Sequence, residues 1–172
     1  MVFLFCYTYS MNKDEKFNPK EPATLIIVVG MPGSGKSTYI EELTKNNPTS
    51  TLYDDYQGKA YNNDHDPRLS KHFGPLVSDL KQGKTVIVSD IAYCVPNELG
   101  IFLGMILGSA PNVVLDFKYF INDPEQCKKN VLQRNRDGRV QKELDLIDKL
   151  TKHYKLPSVQ TIPVHTPRLN AD

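Results

Sequence analysis

The chain has 172 residues, is 40% hydrophobic and 24% charged, and carries a formal net charge of +1. That length suits one domain around a single buried core, and so small a charge excludes a global pull toward nucleic acid, leaving only local basic patches. Its three cysteines, Cys6, Cys94 and Cys127, have no paired spacing, which argues against a disulfide frame or zinc site and fits reduced thiols in a cytoplasmic protein.

Met1 to Ser10 is apolar and aromatic, without a basic n-region or a small-residue cleavage site, and is far too short to span a bilayer. With the polar stretch that follows, residues 1–22 are expected to form a flexible extension; a start of translation at Met11 is one alternative. The folded domain is expected over residues 23–165, with residues 166–172 as a tail.

Ala23 to Val29 is a buried strand, and it runs into Gly30-Met31-Pro32-Gly33-Ser34-Gly35-Lys36-Ser37-Thr38. Glycine, four residues, then Gly-Lys-Ser is the phosphate-binding loop pattern. Gly33 and Gly35 permit backbone dihedrals closed to other residues, so that N–H groups converge on an anion. Lys36 sets a point charge on the outer phosphates and the Ser37 hydroxyl suits Mg²⁺. Lys36 to Asn46 forms the first helix, whose N-terminal dipole adds to the same spot. Residues Gly30, Gly33, Ser34, Gly35, Lys36, Ser37 and Thr38 are therefore expected to hold ATP.

A second strand, Ser50 to Asp54, ends at Asp54-Asp55, followed by a turn-rich loop from Gln57 to Asp66. Side chains alternate along a strand, so only one of these two carboxylates faces the phosphate loop. It could serve as a general base, against the alternative that both cap the next turn. Pro67 to Gln82 has the apolar spacing of a helix, with a kink expected at Gly74-Pro75. Lys84 to Ser89 is a third strand that delivers Asp90, a candidate to hold Mg²⁺ or its water, with a helix cap as the competing role.

Asn97 to Ser109 forms an apolar helix in which Gly100, Gly104 and Gly108 lie four apart on one face. Close packing of this helix on the sheet is the first expectation and a dimer contact the second; membrane insertion is not expected. Val113 to Phe120 is a fourth strand. Asp123-Pro124-Glu125-Gln126 starts the next helix with a cap, a proline and a capping-box partner. The basic loop Arg134-Asn135-Arg136-Asp137-Gly138-Arg139 separates it from a last helix near Gln141 to Tyr154. Lys118 to Lys142 holds seven basic and three acidic residues, and three arginines in a hinge suit closure over polyphosphate. A weak fifth strand is expected within Val159 to Val164. Alternating strands and helices imply a parallel sheet covered on both faces, with ligands beyond the carboxyl ends of its strands.

These pieces resemble the small P-loop kinases that include the phage-type polynucleotide 5′-hydroxyl kinase, with the zeta-toxin and sugar kinases as relatives. The resemblance covers Thr24 to Leu156 and rests on the Gly30–Thr38 loop, Asp54-Asp55-Tyr56, Val86-Ile87-Val88-Ser89-Asp90, and Arg134-Asn135 through Arg139. It implies an α/β P-loop NTPase three-layer sandwich: about five parallel strands, helices on both faces and a short helical lid. It further implies Asp54 as general base, a catalytic lid arginine at Arg136 or Arg139, and Arg134 at the ATP site. Ser37 and Asp90 fall on the metal positions. The implied reaction is transfer from Mg·ATP to a nucleic-acid 5′ end or a small hydroxyl compound, without a membrane and with no oligomer indicated. Gln57 departs from the family, which often has an arginine there for the acceptor, and Gln141 replaces a proline that often opens the last helix. A nucleotide-binding switch module without catalysis is the reading from a different class. For an acceptor end, Arg68, Lys71 and the lid arginines offer charge, and Tyr56, Tyr61 and Tyr93 offer rings for base stacking.

Overall fold

The computed structural model describes residues 22–56 and 72–165. The expectations for residues 1–21, for Gln57, Tyr61, Arg68 and Lys71, and for the tail fall outside them. Five strands, β1 (Thr24–Val29), β2 (Thr51–Asp54), β3 (Thr85–Ser89), β4 (Val114–Phe120) and β5 (Thr161–Ile162), form one all-parallel sheet in the order β2-β3-β1-β4-β5. The helices are α1 (Lys36–Asn46), α2 (Phe73–Lys81), α3 (Pro96–Ser109), α4 (Pro124–Arg134) and α5 (Val140–Thr151), with a short 3-10 helix over Ile91–Cys94. This is the P-loop NTPase α/β fold.

Continuous apolar runs put β1 and β3 at the centre, where both faces must be buried. Ile26, Val28, Ile87 and Phe120 pack with Ile40, Tyr39 and Leu43 of α1 on one face. Leu25, Ile27, Val29, Val86 and Val88 meet α2 to α5 on the other. Three layers result.

The α1 helix has the expected bounds. It stops where Asn47 returns its backbone N–H and side-chain amide to Leu43 O, before Pro48. The helix expected from Pro67, in the part that is described, begins at Phe73. Pro75 therefore lies in its first turn, where the missing N–H breaks no helical bond, so the proline belongs to the start of the helix instead of kinking its middle. In α3 the face holding Leu99, Phe102 and Ile106 is buried against the sheet. Gly100, Gly104 and Gly108 are exposed, and a Cβ at any of them would meet nothing within 4 Å. The helix thus packs on the sheet as expected, but through its large apolar side chains and not its glycines, because the larger side chains bury more surface.

Asp123 caps α4 as expected, accepting from Gln126 N at 3.0 Å. The reciprocal half of the capping box is not made, because the Gln126 amide donates instead to Asn130 Oδ1. Tyr154 lies just past α5 and is buried, its hydroxyl within hydrogen-bond distance of Val29 O and Phe120 O. It thereby ties together the carboxyl ends of β1 and β4. The fifth strand exists as a two-residue pairing of Thr161 and Ile162 with Tyr119 and Phe120. Among the described residues no helix is long and apolar enough to cross a membrane.

Candidate active site

The chain leaves β1 at Val29 and turns through Gly30 to Gly35 into α1. Gly33 (φ 77°) and Gly35 (φ 99°) both adopt the left-handed region. A Cβ on Gly33 would meet Cys127 O at 2.3 Å, so no other residue fits there without moving α4. Two consecutive loop carbonyls point outward: Gly33 O accepts from Asn130 Nδ2 at 2.7 Å, and Ser34 O accepts from His165 N at 3.0 Å. The N-terminus of α1 carries no side-chain cap. Its first N–H groups and its dipole thus present an anion site to the loop.

Lys36 lies partly buried across this loop, its Nζ donating to Gly30 O at 2.6 Å and Met31 O at 2.9 Å. Burial lowers its pKa, and nearby groups oppose that shift, among them Cys94, Cys127, Asp54 and Asp90. Burial also pushes the Cys94 thiol to about 12 and the Cys127 thiol to about 11. Both are uncharged at neutral pH, so the two carboxylates supply the field that favours the charged lysine.

Sheet register explains how those carboxylates arrive. Ser89 pairs with Val28 on one side and with Asp54 on the other, so the ends of β1, β2 and β3 are level. Asp54 is exposed at this edge and its Oδ1 accepts from Asp55 N at 3.0 Å. Asp55 takes φ 52°, turning the chain toward the buried Tyr56. Asp90 is only 4% exposed and its Oδ1 accepts from Ala92 N at 2.8 Å. It therefore caps the 3-10 helix while standing in the field of Lys36.

A divalent cation fits this edge. Mg²⁺ is commonly held by one or two protein groups with phosphates and waters completing its shell. Ser37 is exposed on the first turn of α1, and Asp90 supplies a buried carboxylate. The hydroxyls of Ser34 and Ser89 are buried at the same edge without a hydrogen-bond partner among the described residues. Also among these residues, no group of three or more His, Cys, Asp and Glu side chains could hold a metal, so the protein's share of such a shell is small.

The lid is the α4–α5 hairpin. Asn135 (φ 39°) ends α4 and Gly138 (φ 68°) turns the chain into α5. Arg134 is ion-paired with Glu143 of α5. Arg136 and Arg139 lie exposed on the loop. Thus Arg134, expected at the nucleotide, is committed here to bracing the hairpin, while the other two point their charge to solvent.

Tyr56 and Tyr93 are not available for stacking on an acceptor. They are 1% and 2% exposed and pack on Phe102 of α3, with ring centroids 5.2 and 4.9 Å from it. Aromatic side chains at strand ends fill the gap beneath α3, because that burial outweighs display to solvent. Sequence reasoning missed Asn130 and His165. The signal for Asn130 was present: it shares the buried face of α4 with Cys127 and Val131, and a buried polar residue needs a partner.

Residues 25–157 match the family model described as an AAA domain. An uncharacterized protein of Acanthamoeba polyphaga mimivirus is 30% identical over 133 residues, covering 77% of this chain and 86% of the relative. A chain in the structure of the Pnkp1/Rnl/Hen1 RNA repair complex superposes with a TM-score of 0.54 at 17% identity over 80% of this chain; the present chain spans 48% of that one. A gluconokinase from Sinorhizobium meliloti 1021 gives 0.54 at 15% identity, with 85% of each chain covered. At such identities the two structures speak for the fold alone.

Proposed function

The chain belongs to the AAA-domain family that it matches over residues 25–157, and from that premise we propose that it is an ATP-dependent phosphotransferase acting on a hydroxyl acceptor, first of all a polynucleotide 5′ end. Ser37 and Asp90 would hold Mg²⁺ or its waters, and the ion would supply neutralisation of phosphate charge. Lys36 and the N–H groups of the loop orient the γ-phosphoryl group. Asp54 takes the proton of the acceptor hydroxyl as its oxygen bonds to phosphorus and the bond to the β-phosphate oxygen breaks, leaving a phosphate monoester and ADP. Arg136 or Arg139 neutralises charge on the transferred group.

The observation that carries this reading is the register that brings Asp54 level with the loop and into the field of Lys36. A module that only binds nucleotide needs no exposed carboxylate there. The burial of Tyr56 and Tyr93 favours a second reading, in which the acceptor is a small hydroxyl compound that needs no stacking platform. The fold is compatible with both, since it occurs in a chain of an RNA repair complex and in a gluconokinase. The test is transfer of label from γ-labelled ATP to 5′-hydroxyl DNA, 5′-hydroxyl RNA, nucleosides and sugars. Salt-sensitive labelling of the oligonucleotides supports the first reading. Preferential labelling of a sugar or nucleoside supports the second, and release of inorganic phosphate alone overturns both.

A further inference from the structure

Asn130 makes three hydrogen bonds from a buried position, 97 residues along the chain from the loop it touches. Its amide nitrogen donates to Gly33 O at 2.7 Å and to His165 O at 2.6 Å, and its oxygen accepts from Gln126 Nε2 at 2.9 Å. The orientation of the amide follows from its partners. Two backbone carbonyls can only accept, so the nitrogen must face them. His165 N donates in turn to Ser34 O, which closes a ring of contacts from Gly33 through Asn130 and His165 to Ser34.

This ring fixes the peptide planes of the loop. In a planar trans peptide the carbonyl and the following N–H point in opposite directions. Holding Gly33 O against Asn130 turns Ser34 N inward, where it donates to Met31 O. Holding Ser34 O against His165 turns Gly35 N toward the interior of the loop, the side from which an anion approaches. We propose that Asn130 is a positioning residue that holds the phosphate loop in its anion-binding form and makes the C-terminal segment through His165 part of the nucleotide site. This deepens the phosphotransferase reading and rests on it for the identity of the anion, but the hold itself is a property of the chain.

Asn130→Asp tests it, because aspartate keeps the volume and replaces the donor with a carboxylate facing two carbonyls. In the full chain without nucleotide, amide exchange at residues 33–37 should accelerate about tenfold or more, the scale of two lost hydrogen bonds. Exchange in β1 and β3 should not change. The dissociation constant for Mg·ATP should rise by a similar factor, with the KM for the acceptor within about twofold of wild type. A role in packing alone would leave the loop exchange and the Mg·ATP affinity of Asn130→Asp at wild-type values, and that result overturns the proposal. If Asn130→Asp does not fold, Gln126→Ala decides. It frees the amide to rotate and should speed loop exchange to a smaller degree, and unchanged exchange overturns the proposal. A wild-type protein that fails to bind Mg·ATP would sink the phosphotransferase reading, while the exchange comparison would still decide the role of Asn130.

Discussion

Lys36 Nζ donates to Gly30 O across 2.6 Å, so the lysine bridges the two ends of its own loop. Phosphate oxygens compete with those carbonyls for the same ammonium group, and the exchange replaces neutral acceptors with charged ones. Lys36→Ala should abolish turnover and weaken Mg·ATP binding at least tenfold, while the far-ultraviolet circular dichroism stays that of wild type. Titration calorimetry with Mg·ATP measures the loss. Wild-type turnover in this variant would remove the phosphate loop from the account.

The hydroxyl of Tyr154 lies 3.2 Å from Val29 O and close to Phe120 O, in the core. Tyr154→Phe removes the single O–H that the two carbonyls share at the buried strand ends. Unfolding in urea, followed by circular dichroism because the chain has no tryptophan, should show a loss of about 1–3 kcal/mol with an unchanged denaturant slope. A loss below about 0.5 kcal/mol would mean that the strand ends are held by other contacts.

Three lid arginines should separate by what each touches. Arg134 is paired with Glu143, so Arg134→Ala and Glu143→Gln should give matching, modest changes in turnover, since each breaks the same brace. Either Arg136→Ala or Arg139→Ala should cut kcat by about 10³-fold or more, the usual worth of an arginine on the transferred group. Steady-state kinetics on the four variants distinguishes them. If Arg134→Ala alone has the large effect, the ion pair opens in the active lid and Arg134 reaches the nucleotide.

Much of this was legible in the sequence because it depends on local chemistry. The loop from Gly30 to Thr38 announces itself, the bounds of α1 follow from Gly35 and Asn47-Pro48, and the Asp123-Pro124 start of α4 is a cap with its proline. What stayed hidden depends on which of two faces wins. The glycines of α3 share an apolar helix with Leu99, Phe102 and Ile106, and period alone does not say that the larger side chains take the sheet. Tyr56 and Tyr93 read from the sequence as rings for base stacking, and only the position of Phe102 shows them as core. The contacts of Asn130 with Gly33 and His165 join three distant segments, and no local pattern encodes them.

The most direct measurement compares single-turnover transfer of labelled γ-phosphate by wild type and by Asp54→Asn at saturating Mg·ATP, with bound ATP measured alongside. Asp54 is the last residue of β2 and stands level with Ser89, whereas Asp55 lies beyond the strand in a left-handed turn at φ 52°. The account predicts that Asp54→Asn loses about 10²–10⁴ in rate, the range for a positioned general base, with ATP binding nearly unchanged and Asp55→Asn close to wild type. Equal losses in the two variants, or full transfer by Asp54→Asn, would contradict it.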